Sequence, residues 1–148
     1  MLIISVNDAE FMRAVNAFVS EVETGLSTVV LDACEEGAEE ARRVAPKKTG
    51  GLAASIRGRL TQKATGEIVA SAEHASHVES GTRPHEIRAR FASALRWEDG
   101  DGVHFARRVQ HPGTRPQPFM GPAYLKAERV LVARGETLLA KAVRRFAA

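Results

Sequence analysis

The chain has 148 residues, 44% of them hydrophobic and 26% charged, with a formal net charge of +3. That composition is ordinary for a soluble globular protein, and the length suits a single domain over 1–148 with a real core. One cysteine, Cys34, excludes an intrachain disulfide and makes a reducing compartment the default.

The apolar start, Met1-Leu2-Ile3-Ile4-Ser5-Val6, is too short for a signal peptide or a membrane span and suits a short strand or a docked terminus. Charge is divided along the chain. Residues 1–45 hold nine acids against three bases, a net of −6, and residues 46–148 carry a net of +9. Two readings are open: solvated faces of opposite sign, or a protomer whose acidic part meets the basic part of its neighbour.

Asn7 can cap a helix, with Glu10 three positions later as in a capping box. Phe11, Val15, Phe18, Val22, Leu26, Val29, Ala33, Ala38, Ala41 and Val44 then follow at helical spacing. The spacing predicts a helix over 8–45, stopped by Pro46, with a bend or break at Gly25. Glu35, Glu36, Glu39 and Glu40 are expected on its wet outer face.

Pro46-Lys47-Lys48-Thr49-Gly50-Gly51 breaks the pattern. Leu52, Ala54, Ile56, Gly58 and Leu60 alternate with polar or small residues, as in a half-buried strand. A turn near Thr65-Gly66 and a hairpin mate over 67–72 follow. Residues 74–81 read as a short helical turn closed by Gly81, and 86–89 as a short extended piece. Leu95 and Trp97 share a strand face. Asp99-Gly100-Asp101-Gly102 is a hairpin turn, and Val103, Phe105 and Val109 line the returning strand.

His111-Pro112-Gly113-Thr114-Arg115-Pro116-Gln117-Pro118-Phe119-Met120-Gly121-Pro122-Ala123 holds four of the six prolines. It can be neither a helix interior nor a central strand. It reads as a stiff connector with one apolar anchor, Phe119-Met120. Pro122 sits where a helix accepts proline, in its first turn. The last helix, 122–146, would bury Ala127, Leu131, Leu138, Leu139, Ala142 and Phe146. The expected fold is α+β: a long N-terminal helix and a C-terminal helix packed on a small antiparallel sheet.

Little in the chain points to catalysis. His74 and His77 are three apart with Glu79 nearby, but no third ligand has metal-site spacing. Cys34 lacks an electropositive setting and reads as packing. Ser55, Ser71, Ser76 and Ser80 carry no nucleophile elbow, and the glycines make no phosphate loop. No enzyme and no cofactor are expected. Arg57, Arg59, Lys63, Arg88, Arg90, Arg96, Arg107 and Arg108 lie on or near strands, so a small basic DNA-binding accessory protein is the alternative, though no aromatics interleave with them.

Three pieces in order carry a resemblance: Ala45-Pro46-Lys47-Lys48-Thr49-Gly50-Gly51-Leu52 with Ser55-Ile56, then Val78-Glu79-Ser80-Gly81-Thr82, then the proline-rich stretch over 111–123. Together they resemble the neck, or tail-completion, family of tailed bacteriophages, the head–tail joining proteins, over roughly residues 8–145. The resemblance implies a non-enzymatic virion protein made in the host cytoplasm. It implies a homo-oligomeric ring, six-fold by analogy, at the head–tail junction or the top of the tail. Its partners would be copies of itself, the capsid connector and tail-tube proteins. Genomic DNA would pass without sequence-specific binding, and no membrane is involved. Candidate interface residues are Gly81, Thr82, His111, Gly113, Thr114, Arg115, Phe119 and Met120, with Phe119 seated either in its own core or on a neighbour. His74, His77 and Ser80 stand where such proteins usually carry aromatics. Two histidines there could make the segment pH-sensitive.

Overall fold

Helical spacing from Ala9 onward produces an unbroken helix α1, Ala9–Val44, about 54 Å long at 1.5 Å per residue. This computed structural model describes residues 8–147. The expected strand over 1–6 and the Asn7 cap therefore lie outside the described residues; Asp8 stands at the N-cap and makes no side-chain capping bond. Ala45, preceding Pro46, takes an extended conformation (φ −54°, ψ 139°), which ends the helix.

Gly25 does not break α1. A Cβ there would overlap the Leu138 side chain, so the glycine makes room for another helix rather than a bend. Gly37 works in the same way: a Cβ would lie 2.5 Å from Ile68 Cδ1 and 2.9 Å from the Ala123 carbonyl oxygen.

The chain divides into two compact units. The first holds residues up to Ala72 and from Phe119 onward. In it α1 is followed by a single turn of helix, α2 (Gly51–Ser55), then by β1 (Ile56–Gln62) and β2 (Thr65–Ala70), an antiparallel pair. The alternation from Leu52 thus covers a helical turn before the strand begins. Gly50, at φ +77°, redirects the chain into α2, which seats Leu52 and Ile56 in the core together. The β1–β2 turn falls at Lys63-Ala64 rather than Thr65-Gly66, with Ala64 at φ +52° and its N–H bonded to Ser27 Oγ on α1.

The last helix, α4 (Met120–Phe146), runs antiparallel along α1. Gly25 faces Leu138, Phe18 packs on Phe146, and Gly37 faces Ala123 and Ala127. The core of this unit is built from small residues at the helix seam and a few large ones: Ala33, Ala38, Ala41, Ala123 and Ala142 with Ile56, Leu52 and Phe119. The buried stripe of α4 is rotated from the expected one. Ala123, Val130 and Ala142 are buried, while Leu131, Leu139 and Phe146 are 40–46% exposed. Alanine seams let the helix backbones approach closely, so the larger residues are displaced to the flank.

The second unit spans Glu73–Pro118. It holds α3 (Ala75–Ser80), closed by Gly81 at φ +69°, and four short strands. These are β3 (His85–Arg88), β4 (Leu95–Asp99), β5 (Gly102–Ala106) and β6 (Arg108–His111). β4 pairs with β5 across the expected Asp-Gly turn, and β3 pairs with β6. Val109 therefore lies not on the returning strand but on β6, opposite Ile87. Among the described residues all strand pairs are antiparallel, in three two-stranded ribbons. The fold is α+β, as the switches of period in the sequence require. No described helix is long and apolar enough to cross a membrane.

Candidate functional site

In the second unit, two glycine–threonine pairs far apart in sequence are fastened together. Thr82 and Thr114 form an isolated antiparallel bridge. The Thr82 N–H donates to the Thr114 carbonyl at 3.0 Å, and the Thr114 N–H donates to the Thr82 carbonyl at 3.1 Å. Their hydroxyls lie 3.1 Å apart. Each threonine is preceded by a glycine with positive φ, Gly81 at +69° and Gly113 at +86°. A Cβ on Gly81 would sit 2.5 Å from the Thr114 carbonyl oxygen, and one on Gly113 would overlap that of Thr82. Glycine is needed twice over, for conformation and for space.

The clasp extends in both directions. The Gln117 N–H donates to the Val78 carbonyl at 2.8 Å, which ties the proline arm to α3. On the other side His85 pairs with His111 at the end of the β3–β6 ladder, ring centroids 5.1 Å apart. His111 Nδ1 accepts the Gly113 N–H at 3.0 Å. The fold thus brings together Gly81, Thr82, His111, Gly113 and Thr114. Arg115 follows on the exposed arm.

Phe119 and Met120 belong to the first unit. Phe119 occupies the N-cap position of α4, 1% exposed, one turn before the fully buried Ala123. Of the two seats open to it, the structure fills the one in its own chain. Met120 is half-buried at the wall of a groove.

The opposed charges meet within the chain. Arg134 on α4 bridges Asp32 and Glu36 on α1; Lys126 reaches Glu36 at 2.9 Å and Arg145 reaches Glu21 at 2.6 Å. Lys63 in the hairpin turn pairs with Glu23. The charge split therefore zips α1 to its own neighbours, and these acids are not left for another protomer. Glu36 and Glu40 are half-buried rather than on the wet face; Glu35 and Glu39 are exposed. The hydrogen bond from Lys126, with the Arg134 charge, holds the Glu36 carboxyl below the usual carboxylate range. Arg43 does the same for Glu40.

The strand bases are also largely engaged. Arg59 pairs with Glu67, Arg88 with Glu86 and Arg96 with Glu98. Arg57 donates to the Ala54 and Ile56 carbonyls. Cys34 is buried where the helix meets the hairpin: a Cβ on Gly58 would overlap its carbonyl group, and one on Gly66 would lie 2.7 Å from its Sγ. Burial, and then the charge of Glu67, push its thiol pKa up, which suits packing rather than reactivity. Among the described residues no group of three His, Cys, Asp or Glu is placed to hold a metal ion.

The sequence reading missed the apolar surface. Leu125, Val132, Leu139 and Phe146, seven residues apart in turn, run down one side of α4 and are 46–54% exposed. Val143 is exposed as well, and Tyr124 is 65% exposed. In the second unit Val103 and Phe105 lie on the returning strand, as expected, and are 45% and 67% exposed. The seven-residue spacing on α4 was the available signal, but it sits beside a second helical stripe that competes for the same reading.

Neither a curated protein nor a solved structure matches the chain. Residues 9–81 match the family model HK97-gp10_like, described as "Bacteriophage HK97-gp10, putative tail-component". The match covers α1, the Pro46–Gly51 breaker, the β1–β2 hairpin and α3 up to Gly81. Over these residues, just under half of the chain, it is similar to the HK97-gp10-like family of bacteriophage tail components.

Proposed function

We propose that this chain is a non-enzymatic structural subunit that closes into a homo-oligomeric ring. The ring, six-fold by analogy with the neck family, sits at the head–tail junction or the top of the tail and joins the capsid connector to the tail tube. Both units of the chain act as one module in this reading, and DNA passes without sequence-specific contact. The clasp around Gly81, Thr82, His111, Gly113 and Thr114, with Arg115 and Met120, contributes to contacts with neighbours. Phe119 anchors the arm from inside.

The observation that carries the reading is the uncovered apolar side of α4, from Leu125 through Val132 and Leu139 to Phe146. Monomeric soluble proteins rarely leave such a contiguous strip in water. A ring requires two different surfaces per protomer, because head-to-tail contacts are heterologous. The DNA-binding alternative is weakened by the strand bases, most of which are already bound to acids or to backbone carbonyls.

Size-exclusion chromatography with light scattering, at low and high salt and with and without duplex DNA, tests the choice. An apolar contact should give a discrete oligomer that survives high salt. A monomer at every concentration that shifts only with DNA at low salt would favour the alternative.

A further inference from the structure

We propose that an apolar groove on the first unit receives residues 1–6 of a neighbouring copy as an added β-strand. The inference rests on the self-assembly reading above. The groove holds about 740 Å³. Its walls are Val30 and Cys34 of α1, Ile68 of β2, and Tyr124, Leu131 and Val132 of α4. Three of these are large apolar side chains left partly in water: Tyr124 at 65%, Val132 at 54% and Leu131 at 40% exposure.

One wall is a strand. Among the described strands β2 pairs only with β1, so its other edge carries backbone groups that an extended segment can satisfy. Such a segment needs apolar side chains at alternate positions, to fill the groove while its backbone bonds to the edge. Met1-Leu2-Ile3-Ile4-Ser5-Val6 has them: Leu2, Ile4 and Val6 fall on one side of an extended chain. These residues have the β-branched character of a strand and precede the described structure.

Reach decides whose segment it is. Val30 lies 21 residues beyond Ala9, about 31 Å along the axis of α1. Leu2 is seven residues from Ala9, so even a fully extended chain carries it no more than about 25 Å. Ile4 and Val6 fall shorter still. A chain cannot lay this segment in its own groove; a second copy can. Within reach of the chain's own segment is a smaller hollow of about 220 Å³, lined by Ala17, Phe18 and Phe146. Segment and groove are different surfaces of one protomer, which is the asymmetry that ring closure needs.

The test uses full-length chains with Cys34→Ala, to leave one thiol each. An Ile4→Cys chain is mixed with a Val132→Cys chain and treated with a short bis-maleimide. The expected result is a covalent dimer several-fold more abundant than with an Ala17→Cys chain in place of Val132→Cys. Equal or reversed yields overturn the proposal. So does a doubly substituted Ile4→Cys, Val132→Cys chain that closes on itself at limiting dilution. Val132→Glu gives a second readout: Val132 is exposed, so the monomer should melt as the parent does while the oligomer is lost. Light scattering on the parent separates the two levels. An oligomer that forms without the 4–132 cross-link removes this inference alone; a parent that never assembles removes the ring reading and this inference with it.

Discussion

The two halves of α1 have opposite fates. Its C-terminal half carries small residues, Ala33, Gly37, Ala38 and Ala41, and all four are buried. Its N-terminal half carries Phe11, Met12 and Val19, which are 61%, 48% and 45% exposed. Hydrophobicity alone ranks these halves the wrong way round. What separates them is cover. The β1–β2 hairpin folds back over the C-terminal half, where Gly58 and Gly66 meet Cys34, and α4 closes the other side. The N-terminal half is met toward its inner end, by Phe146 at Phe18, Arg145 at Glu21, Lys63 at Glu23 and Leu138 at Gly25, while Phe11 and Met12 stay largely exposed. Small residues permit close backbone approach, and close approach is what buries a helix.

The contrast can be broken most severely at Phe119. It is 1% exposed at the start of the covering helix, and Phe119→Ala should cost about 3–5 kcal/mol, a large-to-small change in a packed core. Thermal melting reads the loss. A melting temperature equal to the parent's would mean that the arm does not anchor α4.

Overfilling the covered seam comes next. Gly37→Val would push a side chain into Ile68 and the Ala123 backbone, with an expected cost of about 1–3 kcal/mol. The same enlargement at Ala14, on the exposed half, should change melting by no more than about 0.5 kcal/mol. Equal losses at the two sites would erase the distinction between the halves.

A smaller effect is expected from acid. Glu36 and Glu40 have folded pKa values below their ordinary ones. Their ion pairs therefore add stability that is fully present above the ordinary carboxylate pKa of about 4.3 and is lost as pH falls through the lowered values. The melting temperature should drop across that acidic window, and Glu36→Gln should flatten part of the drop. A Glu36→Gln profile that parallels the parent's would show that the pairs of Glu36 with Lys126 and Arg134 contribute nothing measurable. Arg115→Glu is the mildest change. The side chain is exposed on the arm, so melting should not move, while particle completion should fall if the arm meets a partner.

Much of this architecture was legible in the chain itself. Period fixes element type, so both long helices, the Asp-Gly hairpin and the α3 turn closed by Gly81 could be read residue by residue. Proline at 46 and glycine at 81 act through their own backbones, and local rules suffice for them. The three motifs and their order pointed to a phage assembly protein before any fold was known. The candidate site was half legible: Gly81-Thr82 and Gly113-Thr114 stood out as motifs, but nothing local says that they bond to each other across 32 residues.

The rest was decided by tertiary contacts. Gly25 reads as a break in isolation and becomes a contact point only because Leu138 arrives there. Leu131, Leu139 and Phe146 read as core and remain in water, because the alanines of α1 and α4 bring the helices together along a rotated stripe. The acidic and basic halves read either as solvated faces or as surfaces for a neighbour, and several of their charges instead pair with each other, since α4 returns antiparallel beside α1. A sequence records which residues can be buried and which can be paired. Which of them are depends on what the chain brings back against them, and that is a property of the folded path.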